Sequence, residues 1–159
     1  KVVKKSIIDT HNMRFKDGYL SEDMDWCGDL LVYCSKFDFY EKPLYMYRQQ
    51  RNESITSKKT KKLVADKIYM CKKGYEQGIS MADKSKAQLL LSYYAYEYAV
   101  TLGVSSSVKD NDTLLDMKNL QIILNYDLCD KVKQVNRMKK IVGYGLTRRF
   151  LCLFVKMKR

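Results

Sequence analysis

Apolar residues recur at helical spacing along most of this chain. Leu63, Val64, Ile68, Cys71 and Tyr75 form one stripe, which predicts a helix from about Lys58 that stops at Gly78. Asp83 or Ser85 then starts a helix that is apolar nearly all round, with Ala87, Leu90, Leu91, Tyr94 and Tyr98, and ends at Gly103. A helix without a polar face belongs at the centre of a bundle. After the break at Ser105-Ser106-Ser107, Asp112 is placed to cap a helix carrying Leu115, Leu120, Ile123 and Leu124. Leu128, Val132, Val135 and Ile141 mark a further helix, stopped at Gly143 or Gly145. From Leu146 to Lys158, Phe150, Leu151, Phe154 and Met157 keep helical spacing among arginines and lysines.

The first third reads differently. Val2-Val3 suggests a strand already under way, and Ser6 or Asp9 could cap a short helical turn through Asn12. Phe15-Lys16-Asp17-Gly18 predicts a turn in which Gly18 takes a positive φ. Ser21 is a good N-cap for a helix with Met24, Leu30, Leu31 and Cys34, ending near Lys36. The aromatic run Phe37 to Gln49, with Pro43 inside it, predicts two short strands or one kinked strand. The expected fold class is therefore α+β, mainly α. A short mixed α/β segment over 1–56 precedes a bundle of about five helices over 57–159.

Composition agrees with a folded, helix-rich chain: 46% hydrophobic residues, a single proline and seven glycines in 159 residues. The net charge of +12 is unevenly placed. Residues 131–159 hold ten basic residues and no acid, so the first 130 are nearly balanced. Such a tail is a solvated face or an attachment to an anionic surface. No nucleic-acid-binding motif accompanies it, and nucleic acid is not an expected partner. The five cysteines are widely spaced without a CxxC pair, which fits reduced thiols of a cytoplasmic protein better than a disulfide or zinc framework.

The chemistry-bearing residues are concentrated early. Phe15-Lys-Asp-Gly18-Tyr-Leu-Ser-Glu22-Asp23-Met-Asp25-Trp26 is followed by Pro43-Leu-Tyr-Met-Tyr-Arg48-Gln49-Gln-Arg51 and then by Glu53-Ser-Ile-Thr56. In this order and at these distances, the three segments resemble the family-2, GT-A-type glycosyltransferases that build bacterial capsules, lipopolysaccharide and other surface glycans. The resemblance covers about the first 56 residues, which would be the acceptor-side end of the catalytic domain. It implies an inverting transfer of a sugar from a nucleotide-sugar donor to a glycan or lipid-linked acceptor. The nucleotide-sugar-binding half would lie upstream, and the fragment by itself would be inactive.

By that resemblance, the second acid of the Glu-Asp pair, Asp23, is the catalytic base. Such a transfer needs a carboxylate to take the proton of the attacking hydroxyl, and a helix start holds that carboxylate ionised and in one direction. Glu22, Asp25 and Trp26 are the acceptor-side candidates, Trp26 because an indole face is a platform for a sugar ring. Read without the flanking segments, the same acids could simply cap a helix. Arg48, Gln49 and Arg51 are candidates for donor or acceptor phosphate, since a guanidinium binds two oxygens at once. The run here lacks the tryptophan of the Q-x-x-R-W motif in the family's longer-chain synthases, which leaves the role of Gln49 open. Surface charge in a loop is the plainer alternative.

The resemblance also implies a divalent metal, Mg or Mn, in the full-length enzyme, held by an Asp-x-Asp. Asp110-Asn-Asp112 has that spacing but sits at a helix start, so no metal ligand and no cofactor is expected within this chain. His11, the lone histidine, is read as structural. In the tail, Arg148, Arg149, Phe150, Phe154 and Lys156 suit an interfacial helix, placing the protein on the inner face of the membrane. Packing of that helix on its own bundle is the alternative. A different reading of the whole chain is a non-catalytic, basic helical module that binds an anionic membrane surface or a partner.

Overall fold

The computed structural model describes residues 2–46 and 60–157. Six α-helices account for most of them: α1 (Lys5–Thr10), α2 (Glu22–Tyr33), α3 (Lys61–Ser80), α4 (Lys84–Val104), α5 (Asn111–Asn119) and α6 (Asp130–Met157). Two 3-10 segments, Ser105–Ser107 and Leu120–Asn125, flank α5. No strand occurs among the described residues, which form an all-α bundle in place of the mixed α/β segment expected over 1–56; the last three residues of the expected strand run, 47–49, lie outside the described residues.

The physical reason lies in missing neighbours. β-propensity reports packing on a sheet surface, and a short strand pair has little stability of its own. Val2, Phe39 and Met46 are almost fully in solvent and Leu44 and Tyr45 are exposed, with no facing strand among the described residues. Their backbone is therefore irregular although their side chains favour strands.

α4 is the central element, as its all-round apolar pattern predicts. It packs on α2, α3, α6 and the second 3-10 segment. Tyr94, Tyr98, Leu90 and Leu102 of α4 are fully buried against Val64, Met70, Met117, Ile123, Leu124 and Val132. The Tyr98 hydroxyl, which would be costly to leave unpaired there, donates to the Met117 carbonyl. Two glycines admit the Tyr94 ring: a Cβ on Gly28 of α2 or on Gly74 of α3 would overlap it. These glycines therefore set how closely α2 and α3 approach α4.

Several helix ends follow local chemistry. The Thr60 hydroxyl accepts from the Leu63 N–H, and the Asp83 carboxylate accepts from Ser85 and Lys86. The cap of α5 is Asp110, accepting from Thr113, rather than Asp112. Gly78 does not end α3, which runs on to Ser80; Gly78 instead lets Leu91 of α4 come close. Ser21 is not a side-chain cap either: it adopts a left-handed backbone with φ 66° and makes no capping bond. Gly143, with φ 79°, breaks α6 into two arms, where the sequence placed a stop.

Candidate functional site

The first arm of the site is the loop between α1 and α2. Gly18 turns it with φ 81°, the positive value expected from its sequence context. α3 then holds the loop in place. The Lys62 ammonium donates to the Gly18 carbonyl and to Asp66, each at 2.8 Å, and Asp66 accepts from the Leu20 N–H at 2.8 Å. Tyr19 stacks on Tyr69 with ring centres 5.5 Å apart. α4 fixes α2 at both ends: the Tyr93 hydroxyl donates to the Met24 carbonyl, and Lys86 donates to the Val32 carbonyl. The second contact satisfies one of the carbonyls left open at a helix C-terminus.

This arrangement leaves an open cleft of about 650 Å³ lined by the continuous stretch from Phe15 to Asp23. Glu22 and Asp23 are both exposed in the first turn of α2, where the helix dipole favours negative charge. Lys16 and Asp17 share the cleft wall with them. The strained backbone of Ser21 directly precedes the pair. A solvent-facing carboxylate on a braced helix end, beside an open cleft, can accept a proton from a bound hydroxyl.

Asp25 and Trp26 do not line that cleft. Asp25 is buried and both of its oxygens are engaged: Lys73 of α3 donates to them at 2.8 and 2.9 Å, and Lys16 lies at 2.9 Å. Burial alone would raise its pKa, but the hydrogen bonds from Lys73 and Lys16 outweigh it and hold the carboxyl below its ordinary value. Lys16 is pushed up in turn, chiefly by its bond to Asp25. The stability this group contributes is present above its unfolded pKa and is lost as pH falls through the lower folded value. Trp26 stacks on Phe15, ring centres 5.4 Å apart, and packs on the small cluster of Met13, Leu30 and Cys34. In this structure Asp25 ties the cleft loop to α3, and Trp26 supports Phe15 from behind.

Asp29, one turn beyond Asp25, carries no signal in the sequence. Burial raises its pKa; Lys73 and Lys16 pull it down, Asp25 pushes it up, and the net shift is upward. A carboxyl with a raised folded-state pKa costs stability above that pKa, and the cost vanishes once pH drops below the unfolded value. Asp29→Asn is therefore expected to raise the melting temperature at pH 7. The gain should shrink as pH is lowered through the carboxylate range, which thermal melts at several pH values will read.

The remaining candidates are dispersed. Arg48, Gln49 and Arg51, with the Ser-Ile-Thr segment, lie outside the described residues. His11 stacks face to face on Tyr33, with ring centres 3.9 Å apart. Among the described residues no group of three or more His, Cys, Asp or Glu side chains converges to hold a metal ion. Asp110 caps α5 by accepting from the Thr113 N–H, and its other carboxylate oxygen lies 3.3 Å from the Lys61 ammonium. Arg148 faces inward, donating to the Ser105 hydroxyl and carbonyl at 2.8 Å and to the Val108 carbonyl at 3.5 Å. Arg149, Phe150, Phe154 and Lys156 are exposed on the distal arm of α6.

A second concavity, of about 850 Å³, was not foreseen from the sequence. It lies between α4 and the two arms of α6 and is lined mainly by apolar side chains, including Phe150 and Phe154. Its residues come from stretches around 100, 135 and 153, and periodicity within one helix cannot show that they meet. Compared with protein-family models, with curated proteins and with solved structures, the chain matches none.

Proposed function

We propose that this chain is the acceptor-side, carboxyl-terminal part of an inverting glycosyltransferase, with Asp23 as the base. The observation that carries the reading is the placement of Glu22 and Asp23. They stand exposed on the first turn of α2, at the wall of the cleft formed by residues 15–23. That cleft is built from the same residues that resemble the family-2 enzymes. Asp23 would take the proton of the acceptor hydroxyl as it attacks the sugar, while the nucleotide leaves from the opposite face. Glu22, on the same wall, would orient the acceptor. The Lys73–Asp25–Lys16 bridge would keep the loop, and with it the cleft, in one shape. The donor's nucleotide and any divalent ion would be bound by parts of the full-length protein other than the residues described. The test is acceptor-dependent release of nucleoside diphosphate by the full-length protein, and its loss in Asp23→Asn.

The same reading makes the protein peripheral to the cytoplasmic face of the membrane. No helix among the described residues is long and apolar enough to cross a bilayer. Basic and apolar side chains alternate on the exposed distal arm of α6, as in a helix that lies in the interface. Binding to vesicles containing anionic lipid should be strong at low salt and fall about tenfold or more as salt screens the tail, since the Debye length shortens to roughly 3 Å at 1 M. Flotation with anionic and neutral vesicles measures this. Equal binding to neutral vesicles, or none to either, would remove the membrane from the proposal.

A further inference from the structure

The distal arm of α6 crosses α4 where Gly103 leaves room for it: a Cβ there would come within 2.8 Å of the Val155 side chain. Because the chain breaks at Gly143, this arm and the proximal arm both lie on α4, and a trough remains between the three. Tyr96 and Val100 of α4, Met138 of the proximal arm, and Phe150 and Leu153 of the distal arm line it. Its volume of about 850 Å³ falls within the range of small-molecule sites, roughly 300–1,000 Å³. Phe150 and Leu153 remain half-exposed although a bundle core lies alongside.

Charge restricts what can fill this trough. Lys131 is the one charged side chain lining it among the described residues, and its ammonium sits 5.9 Å from the centre of the Tyr96 ring. Residues 131–159, which supply most of the lining, contain ten basic residues and no acid. A second copy of the chain would bring the same positive field to the contact, which opposes self-association through this face. An apolar slot with a single lysine in its wall is complementary to an apolar chain that ends in an anion.

We propose that the trough binds one molecule of an anionic amphiphile, with its apolar chain between α4 and the arms of α6 and its anionic head at Lys131. This deepens the reading of a membrane-facing transferase with a lipid-linked acceptor, and rests on it only for the source of the ligand. The trough, not the exposed surface of the tail, then selects the lipid.

The test uses the 159-residue chain and dodecyl phosphate below its micelle-forming concentration, followed by titration calorimetry. One equivalent should bind saturably, while inorganic phosphate and dodecyltrimethylammonium should not. Leu153→Glu should weaken binding tenfold or more, and Lys131→Glu several-fold. Val100→Glu is the second groove variant should Leu153→Glu lose helicity by circular dichroism. Absence of saturable binding, or an unchanged affinity in both groove variants, overturns the proposal. So does saturable binding of an acidic amphipathic peptide without binding of dodecyl phosphate, which would reassign the trough to a protein partner. Vesicle binding without dodecyl phosphate binding leaves the membrane reading standing and defeats this one. The reverse pattern does the opposite.

Discussion

Asp23→Asn in the full-length protein should lower the transfer rate by about 10²–10⁴-fold, the range over which a positioned general base contributes. The amide keeps the size of the side chain and cannot take a proton. Because Asp23 is exposed and makes no ion pair among the described residues, the fold should tolerate the change. Loss of one negative charge at the start of α2 costs at most about 1 kcal/mol through the helix dipole. The effect should therefore appear in kcat with the melting temperature nearly unchanged. Glu22→Gln, on the same turn, should raise the KM for acceptor more than it lowers kcat, as expected for an orienting group. Transfer by Asp23→Asn near the wild-type rate would take the base away from this residue. An equal loss in both variants, with a lowered melting temperature, would mean that the acids act only on the helix end.

The largest structural effect is expected at Gly74. A methyl group there would overlap Cδ2, Cε2 and Cζ of the Tyr94 ring, which is fully buried and has Gly28 close on another side. The ring cannot move away without separating α2 or α3 from α4. Gly74→Ala gains up to about 1 kcal/mol of helix propensity. Overpacking should outweigh that gain and leave a net loss of about 3 kcal/mol, or roughly 6–12 °C in melting temperature for a chain of this size. In a Tyr94→Leu background, where the ring is gone, the same substitution should be neutral or slightly stabilising. Gly145→Ala is the contrast, because a Cβ there meets nothing within 4 Å. A stabilised Gly74→Ala in the wild-type background would show that the three helices are not held together through this ring.

Much of the helical part was legible from pattern alone. The apolar pattern running nearly all round residues 87–102 identified the central helix, because only a position with neighbours on most sides can bury it. Asp83, Gly18 and Gly143 act as expected because caps and positive-φ turns depend on a few adjacent residues. The same locality explains what failed. Ser21 and the aromatic run after Lys36 look like a cap and strands in isolation, but a left-handed backbone at Ser21 and the absence of a sheet among the described residues override them.

The candidate site divides in the same way. That Asp23 and Glu22 share the first turn of a helix was readable because the residues of one turn and one loop are contiguous, and the cleft they line is made from that single stretch. The roles of Asp25 and Asp29 depend on Lys73, which stands 48 residues beyond Asp25 and is brought to it by α3 packing on α2. The apolar trough needs a break at Gly143 and a close crossing at Gly103 before its walls exist. Sequence by itself determined most of the helices, the buried face of the central one and the acidic turn, since each is a property of neighbours along the chain; it also placed Leu115, Leu128 and Ile141 on apolar stripes, and these are exposed. Tertiary structure decided which charges are neutralised, which aromatics are supports and where the chain leaves an open slot. Those depend on distances between helices, which no local pattern encodes.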